Sequence, residues 1–297
     1  MGPLSSIQLN RQLVTDCAGT VDDLAEFVAA NPGLFVITGA GISHASGIPT
    51  YRDDIGTWKS NTPIQHADFI RDPATRRRYW ARSFRGWPNV RKALPNGAHR
   101  ALVSLEDKGY VATLVTQNID RLHQKAGHRK VTDLHGRLDE VLCMDCGAVV
   151  SREEVQEQLW QLNPDFEALD RQRVALAPDG DADVQQELVD RVTVPHCCRC
   201  DGILKPNVVF YGSSVNKETV NYLYDRLAQA SAVLVVGSSL MVYSSYRFCK
   251  YAHENNIPIV CVNKGLTRAD ALYTLKLDAE CDEALNAVAR KLPARTD

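Results

Sequence analysis

An apolar run that ends in a glycine turn constrains this chain more than any other feature. The run Leu34-Phe-Val-Ile37 leads directly into Thr38-Gly-Ala-Gly41. A short, uninterrupted apolar run is typical of a strand buried on both faces. Glycines without a Cβ let backbone N–H groups approach a phosphate where a helix begins. A tight strand-to-helix turn that holds no ligand has the same pattern, and G-x-G alone does not separate the two.

The turn departs from the dinucleotide fingerprint of dehydrogenases in two ways. His44 stands where G-x-G-x-x-G has its third glycine, and the next glycine is Gly47. Asp53 and Asp54 come too early to be the ribose-binding acid, which is expected about 20 residues on. The turn therefore predicts a nucleotide site, but not that of an ordinary dehydrogenase.

Length and composition bound the class of protein. The 297 residues can bury a large core, as one large domain or as a large and a small one. The 34 basic and 36 acidic residues nearly cancel, so nucleic acid or an anionic membrane is not expected as the main partner. No apolar run reaches the roughly 18 residues of a membrane span, and no targeting signal is apparent. The cytoplasm is the default expectation, or the mitochondrion for a eukaryotic homologue.

Apolar strands alternate with amphipathic helices in much of the chain. Predicted strands are residues 34–37, 111–116, 208–210, 233–236, 259–262 and 273–277. This alternation predicts an α/β fold with a doubly wound, mostly parallel sheet of the Rossmann-like kind. Ligands of such sheets bind beyond the carboxyl ends of the strands. Here those ends read Thr-Gly-Ala-Gly, Thr-Gln-Asn, Gly-Ser-Ser and Val-Asn-Lys-Gly.

Two stretches interrupt the alternation and predict insertions. We assign residues 1–43, 96–134 and 206–297 to a large nucleotide-binding domain. Residues 44–95 read as a loop with short helices, and 135–205 as helices and loops that form a small metal-binding domain. The first insertion carries an arginine cluster that is typical of a solvated helix face, with an anion site as the alternative. Its members are Arg76, Arg77, Arg78, Arg82 and Arg85.

Four of the nine cysteines stand in two C-x-x-C pairs, which favours a metal over a disulfide framework. Two knuckles complete a tetrahedral site of four thiolates, closed and therefore structural, for one zinc ion. A redox C-x-x-C is the alternative. Cys198 would leave only one residue before Cys200, so it is taken as a bystander. The predicted ligands are Cys143, Cys146, Cys197 and Cys200.

Polar residues that carry chemistry follow a second buried strand. Thr116-Gln-Asn-Ile-Asp120 offers amides and a carboxylate that can hold a ribose and a carboxamide, although Asn118 or Asp120 could instead cap the next helix. His135, in Leu134-His-Gly136, stands between this strand and the first knuckle. A histidine can take a proton near neutral pH, which makes His135 a candidate base as well as a candidate core group. His123 is expected to be structural.

Several motifs in fixed order resemble the sirtuin family. They are GAGIS…SGIPTYRD (39–53), TQNID (116–120), LHG (134–136), the two C-x-x-C pairs, LKPNVVFYG (204–212), VGSSLMVYS (236–244) and VNKG (262–265). The resemblance covers nearly the whole chain from about residue 20. The long spacer with LNPDF and LAPDGD resembles the class II branch, of the mitochondrial sirtuin-4 type.

The resemblance implies that NAD is a co-substrate and is consumed. The oxygen of an acyl-lysine attacks C1′ of the nicotinamide ribose, nicotinamide leaves, and water finally yields free lysine and O-acyl-ADP-ribose. In this scheme His135 is the general base for a ribose hydroxyl, and Asn118 is the second catalytic residue. The implied partners are acylated-lysine proteins or peptides.

The resemblance also implies further site residues. Those for NAD are Gly39, Ala40, Gly41, Ile48, Tyr51, Arg52, Asp53, Trp58, Gln117, Asn118, Ile119, Asp120, Gly237, Ser238, Ser239, Asn263, Lys264, Gly265 and Cys281. An extended peptide would lie between two segments by strand addition. Their residues are Val208, Phe210, Tyr211 and Gly212 on one side and Met241, Val242 and Tyr243 on the other.

Two departures from the family pattern bear on the acyl group. Phe210-Tyr-Gly-Ser213 stands where Phe-Phe-Gly or Phe-Gly-Glu is common, which could alter the mouth of the acyl channel. No Tyr-x-x-Arg pair follows Gly56 in the manner of the desuccinylating branch. Negatively charged acyl groups are therefore not favoured as substrates, although Arg52 and the arginine cluster leave that possibility open.

Three alternatives to a protein-lysine deacylase remain at this point. Mono-ADP-ribosyl transfer to protein is possible on the same scaffold, as the class II resemblance implies. An NAD-dependent dehydrogenase and a noncatalytic zinc- or nucleotide-binding protein belong to other classes.

Overall fold

A computed structural model describes residues 17–51, 63–166, 181–182 and 184–295. The predicted cofactor residues Arg52, Asp53 and Trp58 lie outside the described residues. No helix within the described ranges is long and apolar enough to cross a membrane. The cytoplasmic location and the domain boundaries given above stay predictions.

The larger of two sheets is parallel and has six strands. Its order is β3-β2-β1-β7-β8-β9. The strands are β1 Leu34–Thr38, β2 Val111–Thr116, β3 Val131–Asp133, β7 Val233–Val236, β8 Ile259–Val262 and β9 Leu275–Leu277. The continuous apolar runs predict β1, β7 and β8 well because every residue of these strands is buried, whereas the half-buried β3 was not predicted.

Helices cover both faces of this sheet, which confirms the doubly wound fold. Side chains of β1 alternate between two cores: Leu34 and Val36 pack in one, Phe35 and Ile37 in the other. The first core is closed by α1 Val21–Ala30, α4 Gly97–Asp107 and α10 Cys281–Lys291. The second is closed by α8 Lys217–Ala228 and α9 Tyr243–Glu254. The described part also has α5 Leu122–Ala126, which follows β2.

Strand β1 marks the point where the strand order reverses. The chain continues to β2 and β3 on one side of β1, and to β7, β8 and β9 on the other. Loops that leave β1 and β7 therefore diverge to opposite faces and leave a crevice at the carboxyl edge. The glycine turn at 39–41 and Gly237 lie at this crevice.

A second sheet of three antiparallel strands replaces the predicted array of helices and loops in residues 135–205. Its order is β5-β4-β6, with β4 Gly136–Cys143, β5 Val149–Ser151 and β6 Leu204–Val208. Helices α6 Arg152–Leu162 and α7 Gln186–Arg191 belong to the same stretch. The predicted strand at 208–210 is wrong in position and partner: β6 ends at Val208 and pairs with β4. Pro206 is tolerated because β6 is an edge strand.

The first insertion contains one long helix where short helices were expected. After α2 His66–Arg71, α3 runs from Pro73 to Lys92. Asp72 caps it, since its carboxylate accepts N–H bonds from Ala74 at 2.9 Å and Thr75 at 3.0 Å. Aromatic residues of α3 are buried against the small sheet, which explains why the helix is stable despite its arginines. The arginine cluster is not wholly solvated, because only Arg78 is exposed and Arg82 faces the cavity described below.

Candidate functional site

A cavity of about 920 Å³ opens at the carboxyl edge of the large sheet and continues to the small one. Most of the described residues predicted for NAD and peptide line it together with His135. They are Gly39, Ala40, Gly41, Tyr51, Gln117, Asn118, Ile119, Gly237, Ser238, Ser239, Asn263, Lys264 and Cys281, with Val208, Phe210, Tyr211, Gly212, Met241, Val242 and Tyr243. Ile48, Asp120 and Gly265 are not among the lining residues.

The glycines of the turn are required first of all by contact between two strand ends. The N–H of Gly41 donates to the carbonyl oxygen of Gly237 at 2.8 Å. A Cβ on Gly39 would lie 2.8 Å from the Cβ of Ser238, and one on Gly237 would lie 2.3 Å from the nitrogen of Ile42. Gly237 also has a φ of 57°, which L side chains rarely adopt. The backbone at the crevice is therefore bare, and a seven-residue 3-10 helix, Ala40–Ser46, follows it.

The polar residues after β2 form a network around the turn. Asn118 Nδ2 donates to the carbonyl oxygen of Gly39 at 3.0 Å and to Ser43 Oγ at 3.1 Å. Ser43 Oγ donates to Asp120 Oδ2 at 2.7 Å, and Asp120 Oδ1 accepts the N–H of Leu122 at 2.9 Å. Burial raises the pKa of the Asp120 carboxyl, and these two donors oppose that shift. Asp120 thus accepts the first N–H of α5 and, through Ser43, supports Asn118, which lines the cavity.

Gln117 links β1, β2 and β7. Its Nε2 donates to Ser238 Oγ at 2.6 Å and to the carbonyl oxygen of Thr38 at 3.2 Å. Its Oε1 accepts a hydrogen bond from Ser245 Oγ at 2.8 Å. With every polar atom of its amide engaged, the side chain has one defined orientation at the cavity wall.

His135 presents a base to the cavity, and its hydrogen bonds define the tautomer. Nδ1 lies 3.1 Å from the carbonyl oxygen of Gln117, which can only accept, so Nδ1 carries the proton. The lone pair is then on Nε2, 2.7 Å from Ser244 Oγ. Burial lowers the pKa of His135, and the bond to Gln117 opposes this, so the imidazole is neutral at pH 7. A neutral ring with Nε2 facing the cavity is what a general base requires.

Gly136 explains why a glycine follows the candidate base. Its φ is 80°, and a Cβ there would lie 2.1 Å from the carbonyl oxygen of Asn207. The absence of a side chain lets β4 and β6 approach immediately after His135. The N–H of Val209 then donates to the carbonyl oxygen of His135 at 2.8 Å, which ties the base to the predicted peptide segment.

The opposite part of the cavity is formed by β8 and the start of α10. Asn263 Nδ2 donates to the carbonyl oxygen of Lys264 at 2.8 Å, and Lys264 forms an ion pair with Glu280 at 2.9 Å. The N–H of Gly265 donates to Asp278 Oδ1 at 3.0 Å, so Gly265 shapes the loop without lining the cavity. Burial raises the pKa of the Cys281 thiol to about 12, which leaves it an uncharged part of the wall.

Several cavity residues were not predicted from the sequence. The structure adds His44, Thr50, Arg82, Asp181, Ser244 and Arg247 to the lining. Tyr79 and Arg82 both line the cavity and are three residues apart on α3, so a Tyr-x-x-Arg pair does exist, but on a helix well after Gly56. Arg82 Nε lies 3.7 Å from Asp181 Oδ2. The helical spacing of Tyr79 and Arg82 was the signal that could have found this pair.

Three buried histidines lie beneath the glycine turn. The ring centroids of His99 and His123 are 4.8 Å apart, and those of His123 and His128 are 5.2 Å apart. His123 Nε2 lies 2.9 Å from Thr38 Oγ1, and His128 Nδ1 lies 2.6 Å from Glu106 Oε2. Each ring has one buried nitrogen without a hydrogen-bond partner among the described residues. His123 is structural, as expected from the sequence.

This cluster predicts a loss of stability in mild acid. Burial lowers the pKa of all three rings, and that of His99 to about 4 from 6.5. Below pH 6.5 the unfolded chain therefore binds more protons than the folded chain, and stability falls until the folded-state pKa is reached. From His99 alone we expect a loss of about 2 kcal/mol between pH 7.5 and 5. Urea unfolding at a series of pH values measures it.

The variant His99→Gln serves as the control for this prediction. It keeps a polar side chain next to Asn96 but does not titrate, so its unfolding free energy should depend less steeply on pH than that of the parent chain. Identical pH slopes for the two chains would contradict the assignment.

The four predicted metal ligands come together at one end of the small sheet. Their sulfur atoms all lie within 4.8 Å of one another. Cys143 Sγ is 3.5 Å from Cys200 Sγ, and Cys146 Sγ is 3.8 Å from Cys197 Sγ. Tetrahedral Zn–S bonds of about 2.3 Å place sulfur atoms about 3.8 Å apart, so the donor set fits one structural Zn²⁺. Cys198 is exposed and outside the group, as predicted.

The turns of the two knuckles differ. Gly147 follows the first pair with a φ of 71°, but in the second pair the left-handed position is Asp201, with a φ of 60°. Gly202 serves a different purpose, because a Cβ there would lie 2.3 Å from the carboxylate of Asp145. Asp145 Oδ2 in turn accepts the N–H of Ile203 at 2.8 Å, which joins one knuckle to the other.

Together the parallel sheet, the bare backbone at its switch point and the neutral histidine define a nucleotide-dependent enzyme of the α/β class. A model of the Sir2 family matches residues 39–244. The chain belongs to the Sir2 family, the sirtuins.

Individual relatives agree with this assignment. The chain is 52% identical over 262 residues to "NAD-dependent protein deacetylase 2" of Bradyrhizobium diazoefficiens, with 88% of this chain and 95% of that one covered. It is 47% identical over 268 residues to human "NAD-dependent protein lipoamidase sirtuin-4, mitochondrial", with 89% and 84% covered. The latter agrees with the class II resemblance.

Solved structures give the same family. The complex described as "Sir2-p53 peptide-NAD+" has a TM-score of 0.72 and 28% identity, with 92% of this chain and 98% of that chain covered. A structure described as "Sir2Tm bound to a propionylated peptide" has a TM-score of 0.71 and 27% identity over 92% and 98%.

Proposed function

We propose that this chain is an NAD-dependent protein-lysine deacylase that releases nicotinamide and O-acyl-ADP-ribose. One observation carries the proposal: His135 lines the same cavity as the glycine turn and the two predicted peptide segments. Relatives that are named NAD-dependent protein deacetylases and a peptide–NAD⁺ complex of the family support it.

The chain's own residues divide the work along the cavity. The bare backbone of Gly39–Gly41 and Gly237, with Asn263, would hold the nucleotide. Gln117 and Asn118, both fixed by hydrogen bonds, would orient the nicotinamide ribose. NAD supplies the electrophilic C1′ and the leaving group. His135 Nε2 would then accept the proton of a ribose hydroxyl.

Two chain segments would place the acylated peptide beside the base. The segment Val208–Gly212 is joined to His135 through the N–H of Val209. Ser244, which bonds the base, directly follows the segment Met241–Tyr243. An extended peptide that adds to both segments would direct its acyl-lysine towards His135.

Incubation with NAD and a panel of acyl-lysine peptides tests the proposal by mass spectrometry. O-acyl-ADP-ribose identifies a deacylase. ADP-ribosylated protein would instead identify the transferase on the same scaffold, and reduced cofactor a dehydrogenase. Absence of NAD turnover and of any product would leave a noncatalytic binding protein.

Ser244→Ala is expected to move the acidic limb of the pH profile. The Ser244 hydroxyl donates to Nε2 and so stabilises the neutral imidazole. Without that bond the pKa of His135 rises. The acidic limb of the kcat/KM profile should therefore move to higher pH by about half a pH unit to one pH unit. Ser244→Thr keeps a hydroxyl and should restore the parent profile. A profile that is unchanged in the alanine variant would exclude this role.

A further inference from the structure

A cationic and aromatic surface lies beside the predicted peptide segment Met241–Tyr243. We call it the basic rim and define it by Lys217 on α8, by Tyr243, Tyr246 and Arg247 on α9, and by Arg268. Lys217, Tyr243 and Arg247 line the cavity, and Tyr243 is 51% exposed. The two helices pack together, with the ring centroids of Tyr224 and Phe248 5.3 Å apart.

Aromatic rings order the guanidinium groups of the rim. The guanidinium carbon of Arg268 lies 4.4 Å from the ring centroid of Tyr246 and 5.8 Å from that of Tyr243. Its Nη1 donates to the carbonyl oxygen of Met241 at 3.2 Å. Arg247 lies 5.2 Å from the ring of Tyr243. Because these cations are already held in place, a ligand that binds them loses less side-chain entropy than on a mobile surface.

The positive charge of the rim is not balanced locally. Within the described residues, Lys217, Arg247 and Arg268 form no ion pair. Two other cations that line the cavity do have acidic partners, since Lys264 pairs with Glu280 and Arg82 with Asp181. The cavity therefore has one face whose positive charge is not neutralised by ion pairs among the described residues. This face lies next to the predicted peptide segment Met241–Tyr243.

We propose that the basic rim selects acyl-lysine peptides with an acidic side chain close to the acylated lysine. This inference rests on the proposed deacylase function. Ser244 contacts the base and Tyr243 is its neighbour, so the residues that flank the lysine pass along the rim. At roughly 3.3 Å per extended residue, positions within two of the lysine are within reach of Arg247 and Arg268. Carboxylates match guanidinium groups in charge and in planar geometry.

Peptides that differ only in charge provide the test. One set carries acetyl-lysine with Glu at a single position from two before to two after the lysine, and a matched set carries Gln there. At low salt we expect kcat/KM to be about tenfold higher for at least one Glu peptide than for its matched Gln peptide. The difference should lie in KM, because long-range attraction favours the association of the peptide with the enzyme. The preference should shrink at 0.5 M salt, where the screening length is only about 4 Å.

Variants show whether the rim causes the preference. In the double variant Arg247→Gln, Arg268→Gln the ratio of kcat/KM for Glu over Gln peptide should fall to about one. Arg226→Gln is the matched control, because Arg226 stacks on Tyr222 outside the cavity and its loss should leave the ratio as in the parent. Circular dichroism and melting temperature verify that each variant is folded.

Three results would overturn the inference. The first is an equal KM for the two peptide sets in the parent protein, and the second is a preference that survives in the double variant. The third is a double variant whose KM for NAD is raised and whose KM values for the Glu and Gln peptides change equally. The last would place the cations on the nucleotide. Failure of the proposed function is recognised separately, by the absence of nicotinamide release from the parent protein. In that case fluorescence anisotropy of labelled Glu and Gln peptides still measures the preference, and equal affinities would refute it.

Discussion

His135→Ala is expected to lower the formation of O-acyl-ADP-ribose by about a thousandfold, within the range of general-base contributions. The reason is that Nε2 carries the basic lone pair at this place in the cavity, where it accepts a hydrogen bond from Ser244, and neither neighbouring group can replace it: Ser244 is a hydroxyl and the Asn118 amide is not basic. Because the base would act only after nicotinamide has left, release of about one equivalent of nicotinamide should survive. Mass spectrometry of both products separates the two steps.

The fold should be intact in this variant. His135 precedes β4 and contributes its backbone carbonyl to Val209, which alanine preserves. His253→Ala, at an exposed position of α9, is the matched control and should retain full activity. Undiminished O-acyl-ADP-ribose formation by His135→Ala, with a normal melting temperature, would exclude His135 as the base.

Cys146→Ser is expected to lose zinc and to unfold the small sheet. A structural site of four thiolates contributes on the order of 10 kcal/mol to folding, and one hydroxyl cannot replace a thiolate ligand. The backbone N–H of Cys146 also lowers the pKa of the Cys143 thiol to about 7, which favours the thiolate that the metal needs. Zinc content and thermal unfolding measure the effect, and activity should fall with it because β4 joins the first knuckle to His135.

Cys198→Ser provides a closely matched control for the metal. It replaces the same kind of residue in the same knuckle, but Cys198 is exposed and outside the ligand set. This variant should bind one equivalent of zinc and melt like the parent chain. A Cys146→Ser protein that is folded and holds a full equivalent would show that the four-thiol assignment is incorrect.

The parts of the fold that the sequence predicts well are those set by local pattern and burial. The apolar runs at 34–37 and 111–116 give the position of β1 and β2 because strands buried on both faces need continuous apolar sequence. The cysteine spacing gives the metal site because two residues between thiolates are enough to specify a knuckle.

The small sheet was missed because its sequence pattern is weak. Strand β4 lacks a regular alternation, because Asp139 and Glu140 are consecutive polar residues and Val141 and Leu142 consecutive apolar ones. It is only partly buried, and its pairing with β6 has an irregular register between Gly136 and Val141. Pro206 in β6 argues against a strand unless the strand is known to be at an edge. Helix α3 was misjudged for a related reason, since its aromatic face is buried by residues more than 100 positions away, as the Trp80–Leu204 hydrogen bond shows.

Contacts between distant parts of the chain account for the site residues that were missed. Ser244 bonds His135 across 109 residues of sequence, and nothing in the local pattern Tyr-Ser-Ser distinguishes it from a helix start. Asp181 reaches Arg82 from the second insertion, where composition alone indicates only a polar loop. The Arg82–Asp181 pair joins the two insertions, whereas the His135–Ser244 bond joins the second insertion to a helix of the large sheet.

The eight residues of β4 place a rigid connection between the base and the metal. Because side chains along a strand alternate with a period of two, inserting a single residue between His135 and Cys143 would turn either the imidazole or the thiolate to the wrong face. The segment between Cys146 and Cys197 begins only after β4 has ended, so its length does not set the register between His135 and Cys143.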